Sequence, residues 1–153
     1  MKALTTTELK HKLLSNTVTR RYFIGTYPSC ITPITNKPIY SFITNVDEHD
    51  EVGQHWNGWF VRDSKLLFFD SFGREYDDPT LPMHYQNIVE QYDSVECSIK
   101  RVQGWDSVAC GHFSTHFIYA MSLGLSYDSF LREYSFNYEE NDEIVSEFYY
   151  SID

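Results

Sequence analysis

Apolar residues gather in two short neighbouring runs, Trp56-Asn57-Gly58-Trp59-Phe60-Val61-Arg62 and Lys65-Leu66-Leu67-Phe68-Phe69-Asp70, with the polar stretch Arg62-Asp63-Ser64-Lys65 between them. Short aromatic- and aliphatic-rich runs bounded by polar residues predict a pair of strands over 56–62 and 65–70, joined by a tight turn at Asp63-Ser64. Residues 39–44 and 95–102 read as two further strands. From about 107 to 123 the pattern changes: Cys110, Phe113, Phe117, Ala120 and Met121 recur at helical spacing. Thr5-Thr6-Thr7-Glu8 has the form of a capping box opening a helix to about residue 14. Residues 81–92 predict another helix, Ser126 caps one reaching about 134, and Asn141 opens a last one to the C-terminus. Pro28, Pro33 and Pro38 mark a loop-rich stretch, and the acidic run Asp47-Glu48-His49-Asp50-Glu51 reads as a surface loop. No repeat, low-complexity tract or linker divides the chain. The expectation is one α+β domain over 1–153, with a central mixed β-sheet flanked by helices.

Composition adds a packed core to that outline. The chain has 153 residues, 42% hydrophobic and 17% aromatic, enough to bury a core without disulfide staples. No apolar run approaches the ~20 residues that span a bilayer, and the N-terminus lacks a signal-peptide core. An intracellular setting without membrane attachment is expected. Cys30, Cys97 and Cys110 are an odd set without metal-ligand spacing, which argues against a disulfide framework and leaves no metal or other cofactor implied. The formal net charge of -10 disfavours a nucleic-acid partner. The basic pairs Arg20-Arg21 and Lys100-Arg101 read as solvated surface pairs, and partners with basic segments fit the charge better.

The residues that carry chemistry are His55, Asp70, Gln103 and Cys110. A thiol nucleophile, an imidazole base, a carboxylate to orient the imidazole and an amide to receive an oxyanion make a complete acyl-transfer set. If Arg62 faces Lys65 across a two-residue turn, the register carries Asp70 opposite Asn57. His55 then lies on the same face of the ribbon, diagonal to Asp70 at ~7 Å between Cα atoms. The carboxylate would fix the imidazole tautomer and stabilise the imidazolium. Ser107 or Asp106 is expected to cap the helix bearing Cys110, at whose start free N–H groups favour a thiolate. Gln103, with the Cys110 backbone N–H, would hold the oxyanion. Gly111 would leave room for substrate backbone beside the nucleophile, and Trp56 would line the substrate site and wall off the imidazole–carboxylate pair from water.

Each residue alone has a plainer reading. A lone cysteine is usually a small buried hydrophobe, and Cys30 and Cys97 are read that way. His11, His49, His84, His112 and His116 are read as structural or exposed. His112 and His116 stand at i, i+4, a metal-binding spacing, but no glutamate of an HExxH motif lies between them, so a surface role is expected. Jointly, and in this order, the four residues favour catalysis.

These segments resemble the adenovirus protease (adenain) family, within the larger group that includes SUMO- and ubiquitin-like-specific cysteine proteases. The resemblance runs through Tyr22-Phe23-Ile24-Gly25-Thr26-Tyr27, Gly53-Gln54-His55-Trp56, Phe69-Asp70-Ser71-Phe72-Gly73 and Val102-Gln103-Gly104-Trp105-Asp106-Ser107-Val108-Ala109-Cys110-Gly111-His112-Phe113. It covers roughly residues 8–123. His55, Asp70, Gln103 and Cys110 fall on the family's base, acid, oxyanion and nucleophile positions, with Asp70 standing where adenoviral members carry glutamate.

The resemblance implies a nucleophile at the N-terminus of a central helix packed on the sheet. It also implies cleavage of viral or virus-like precursor proteins during particle maturation, in a host nucleus or a virus particle. Cys97 stands roughly where adenoviral members link an activating peptide through a disulfide, though closer to Gln103. The acidic charge departs from the basic, DNA-stimulated adenoviral enzymes. Two alternatives remain open on the residues: an isopeptidase acting on SUMO or ubiquitin-like modifiers, and a catalytically silent assembly domain.

Overall fold

The protein is represented by a computed structural model that describes residues 1–46 and 55–153. The expected acidic loop at 47–51 lies outside them. Five strands form one mixed sheet in the order β1 (Phe23–Pro28), β2 (Ile39–Asn45), β3 (Trp56–Arg62), β4 (Lys65–Phe69) and β5 (Ser94–Cys97). β2, β3 and β4 run antiparallel to their neighbours within that trio, while β1 pairs with β2 and β5 with β4 in parallel. The α+β expectation therefore holds.

The β3–β4 hairpin is pinned by its turn. Asp63 and Ser64 both take positive φ, 50° and 65°, the pair of left-handed residues whose twist suits a two-residue connection. Arg62 consequently faces Lys65, and the register runs to Gly58 facing Phe69. Because side chains alternate along β3, the strand serves two cores. Trp56 and Phe60 pack in one cluster with Phe113 and Phe117, whereas Trp59 and Val61 pack in the other with Tyr85 and Ile88. Gly58 lets the first layer come close: a Cβ there would stand 2.7 Å from the Phe117 ring.

The helices are α1 (Thr6–Ser15), α2 (His84–Val89), α3 (Cys110–Ser122), α4 (Tyr127–Leu131) and α5 (Tyr138–Ser151). α1 begins as the sequence predicts, with Thr5 and Glu8 exchanging backbone–side-chain hydrogen bonds of 3.1 Å.

Other boundaries differ from expectation, each for a local reason. β1 occupies part of the stretch expected to be loop. It is an edge strand where Pro28 needs no ladder donor, and Gly25, at φ 149°, accommodates a register shift between Phe23 and Thr26. α2 is shorter than 81–92 because Pro82 precedes it and its end tightens into short-range turns. β5 stops at Cys97 rather than 102, and the chain beyond it bonds to Ser71 instead of extending the ladder.

α4 is capped by Ser126 as expected but ends at Leu131. α5 begins earlier than expected, with Asn137 as its cap. Asn141 is fully buried inside the helix, donating to Val102 O at 2.9 Å and Ser135 O at 2.8 Å. It thereby ties α5 to the segment that carries Gln103.

Candidate active site

The sheet end where β3 begins and β4 finishes brings His55 and Asp70 together. His55 Nε2 lies 2.5 Å from Asp70 Oδ1, the diagonal juxtaposition that the hairpin register predicts. Asp70 is fully buried, and its carboxylate is saturated with donors. Asn57 Nδ2 donates to Oδ1 at 2.7 Å. Arg74 donates through Nε and its backbone N–H to Oδ2, at 3.0 and 3.2 Å, and through Nη2 to Oδ1 at 3.2 Å. Burial opposes ionisation of Asp70, yet the hydrogen bonds and charges of His55 and Arg74 outweigh it and hold the carboxyl well below the usual carboxylate range.

Support for the carboxylate continues into the second core. Tyr85 donates its hydroxyl to Asn57 Oδ1 at 2.8 Å and lies 2.7 Å from Thr44 Oγ1, which also accepts from Trp59 Nε1 at 2.9 Å. Every member of this chain is buried, so the network is satisfied internally rather than by solvent.

Cys110 is the first residue of α3 and 7% exposed. His55 hydrogen-bonds with it as well as with Asp70. Since Nε2 faces Asp70, Nδ1 is the ring nitrogen left for the thiol. Burial alone would lower the proton affinity of His55, but the hydrogen bonds and charges of Asp70 and Cys110 reverse that and raise its pKa from 6.5 to about 9. The imidazole face is covered by Phe72, stacked at 4.8 Å between ring centroids, and Phe72 stacks in turn on Trp105 at 5.0 Å.

Gln103 is 1% exposed and held at both ends of its amide. Ser71 Oγ donates to its Oε1 at 2.5 Å, and its Nε2 donates to Ser107 O at 2.9 Å, with a longer contact to Ser107 Oγ at 3.4 Å. The Val102 and Gln103 N–H groups both donate to Ser71 O, at 3.0 and 3.1 Å. The adjacent residues Asp70 and Ser71 therefore anchor the two halves of the site, one the imidazole and the other the amide.

Several expectations need correction. The N-cap of α3 is Ala109 and has no side-chain cap. Ser107 instead accepts from Ala109 N–H at 3.1 Å and donates to Asp142 at 3.0 Å, while Asp106 makes no cap. Trp56 is 1% exposed within the apolar cluster, so its ring surface is covered by core residues and is not offered to substrate. The space at Gly111 opens onto α1 and the residues before it: a Cβ there would meet Leu4 and Leu9 at 3.3–3.4 Å.

His112 and His116 are buried rather than on the surface. Burial lowers both pKa values to about 4, with the positive N-terminus adding to the effect at His112. His116 bonds the Tyr134 hydroxyl, whereas neither ring nitrogen of His112 has a hydrogen-bond partner among the described residues. Among the described residues no group of His, Cys, Asp or Glu is arranged to hold a metal ion. Cys30 is exposed and Cys97 half-buried, and both are free thiols.

Comparison with known proteins locates this arrangement in fold space. The chain shares its fold with the ASFV pS273R protease, with a TM-score of 0.65 at 16% identity over 94% of this chain. It spans 66% of the length of that protease. The central domain of the uncharacterized Lpg1148 protein from Legionella pneumophila is also similar, with a TM-score of 0.57 at 13% identity, covering 99% of this chain and 96% of that domain. No family model matches the chain, and no curated protein matches it significantly.

Asn57, Ser71, Phe72 and Arg74 were not among the residues expected to build the site. Asn57 was detectable, because the same register that pairs His55 with Asp70 places it opposite the carboxylate. Arg74 stands at i+4 from Asp70 across a turn closed by Gly73 N–H to Asp70 O at 2.9 Å. That spacing alone does not tell which way its side chain folds.

Proposed function

We propose that this chain is a cysteine-type endopeptidase, with Cys110 as nucleophile, His55 as proton carrier, Asp70 as orienting carboxylate and Gln103 as oxyanion donor. The observation that supports it is the hydrogen-bonded line from Asp70 through His55 to Cys110 at the start of α3. With the imidazole protonated beside it, the sulfur attacks the scissile carbonyl carbon and the carbonyl electrons move onto oxygen. The Gln103 amide and the Cys110 backbone N–H receive that oxyanion; one such donor is worth ~3 kcal/mol of transition-state stabilisation. Collapse breaks the C–N bond, and the leaving amine takes the proton of His55. Water then cleaves the thioester with His55 as base, releasing the acid and restoring the thiol.

The substrates on this reading are polypeptides, and the adenain resemblance points to viral or virus-like structural precursors cut during particle maturation, with glycine near the scissile bond. An activating peptide belongs to the same reading, with Cys97 at the end of β5 as its candidate attachment point.

The test is cleavage of glycine-containing precursor peptides by the full chain and by Cys110→Ala. Cleavage is expected to vanish in the variant while its circular dichroism is unchanged; turnover that persists would remove Cys110 from the mechanism. Cys110 should also react with iodoacetamide faster than free cysteine near neutral pH. Rapid labelling of Cys110 by a ubiquitin-like vinyl sulfone would redirect the substrate class to modifier conjugates.

A further inference from the structure

Arg74 contacts two of the groups that hold His55, the Asp70 carboxylate and the Phe72 ring. Its guanidinium forms a fork on Asp70, with Nε on one carboxylate oxygen at 3.0 Å and Nη2 on the other at 3.2 Å, and its backbone N–H adds a third bond at 3.2 Å. The same guanidinium lies 5.5 Å from the centroid of Phe72, the ring stacked on the imidazole. Its remaining arm donates to Thr80 Oγ1 at 3.2 Å, and Thr80 donates to Asp78 at 2.5 Å. Arg74 is thus fixed from behind by the turn that follows it.

We propose that Arg74 is a positioning residue, acting through Asp70 and Phe72 to orient the His55 ring and to moderate how tightly that ring holds its proton. The inference rests on the peptidase reading for its catalytic consequence, though not for its geometry. An unshared carboxylate beside an imidazole would concentrate its whole negative charge on the imidazolium and make it a reluctant acid. A guanidinium on the far side of the same carboxylate draws off part of that charge, so the proton passes more readily to a leaving amine. The fork also removes rotation about the Asp70 side chain, which keeps Oδ1 aimed at Nε2. Lysine could supply the charge but not the planar two-point grip.

Among the described residues, few charged and titratable groups surround this unit. Asp70 and Cys110 face His55 directly. Asp78 faces Arg74 from the following turn, Tyr85 bonds Asn57 and feels the charges of both Asp70 and Arg74, and Tyr127 feels that of Asp70.

Two variants and two readouts decide the matter. In Arg74→Gln, the basic limb of the kcat/KM profile and the NMR titration of the His55 ring should both move up by roughly half to one pH unit. In that variant kcat should fall ~10-fold with KM nearly unchanged. Arg74→Lys should keep the titration near that of the parent while kcat still falls ~5-fold, because charge is retained and the fork is lost. A merely structural role would lower melting temperature without moving the titration. Coincident His55 titrations in parent and Arg74→Gln would overturn the proposal. Should Arg74→Gln fail to fold, an unchanged kcat in Arg74→Lys overturns it and a reduced kcat at unchanged KM supports it. A parent that cleaves no peptide would sink the peptidase reading, while the NMR titration would still decide the electrostatic role of Arg74.

Discussion

Two imidazoles, one largely buried with 13% of its side chain exposed and one fully buried, behave in opposite ways in this molecule. His55, at the start of β3, has its pKa raised to about 9; His112, in the first turn of α3, is pushed down to about 4. Both lose hydration. The difference is that His55 meets a carboxylate and a thiol, whereas both nitrogens of His112 go without a hydrogen-bond partner among the described residues. Tyr149 packs edge-on against the His112 ring at 4.9 Å, an apolar setting that favours the neutral form. Burial therefore does not choose the charge of a histidine; the partner inside the buried site does.

The largest effect expected from breaking this contrast comes at Asp70. Asp70→Asn should make the surroundings of His55 resemble those of the α3 histidines. We expect kcat to fall by ~10^3–10^4, and the ring titration, followed by NMR, to drop below its parent value. A His55 titration that stays near 9 in that variant would mean the carboxylate is not what raises it.

The pH dependence of stability sharpens the comparison from the other side. His112 and His116 titrate near 4 when folded and near 6.5 when unfolded. Between those values the unfolded chain binds more protons, so their contribution is complete above pH 6.5 and is lost as pH falls towards 4. Each amounts to about 3 kcal/mol at full loss. His55 has the reverse sign: its contribution is complete below about 6.5 and disappears as pH rises through about 9. Urea unfolding of His112→Phe should thus show a stability gain over the parent that widens from pH 6.5 to 4 by up to about 3 kcal/mol. A constant gap over that range would show that His112 does not titrate with folding.

The smallest effect concerns how far the support of His55 reaches. Tyr85→Phe removes the hydroxyl between Asn57 and Thr44 and leaves Asn57 Oδ1 buried without its donor, which should cost about 1–2 kcal/mol in denaturant midpoint assays. Activity should fall only a few-fold, since Asn57 keeps its bond to Asp70. A loss as large as that of Asp70→Asn would show the whole buried chain to be one catalytic unit.

The pairing of His55 with Asp70 was legible before any coordinates because a β-hairpin converts sequence spacing into distance. A two-residue turn leaves one register, and alternation then decides which side chains share a face. The capping box of α1 and the helix bearing Cys110 were legible for the same kind of reason, since both are local patterns. The cap of α3 was misjudged because Ser107 finds Ala109 N–H, Asp142 and Gln103 instead, and of these only Asp142, distant in sequence, lies beyond a local reading. Trp56 and Gly111 were assigned to substrate on chemistry alone, and the packing of α1, the residues before it and the central cluster claims them.

By itself, then, the sequence determined the strand pair, the nucleophile helix and the order of the chemical groups, all consequences of short-range periodicity and turn geometry. Only the tertiary structure decided that Ser71 orients Gln103, that the Arg74 side chain folds back onto Asp70, and that His112 is buried unbonded. The reason is physical. Ser71 and Gln103 come from segments far apart in sequence, and a side chain with several rotatable bonds, such as Arg74, takes its direction from whatever packing leaves available, which no spacing along the chain records.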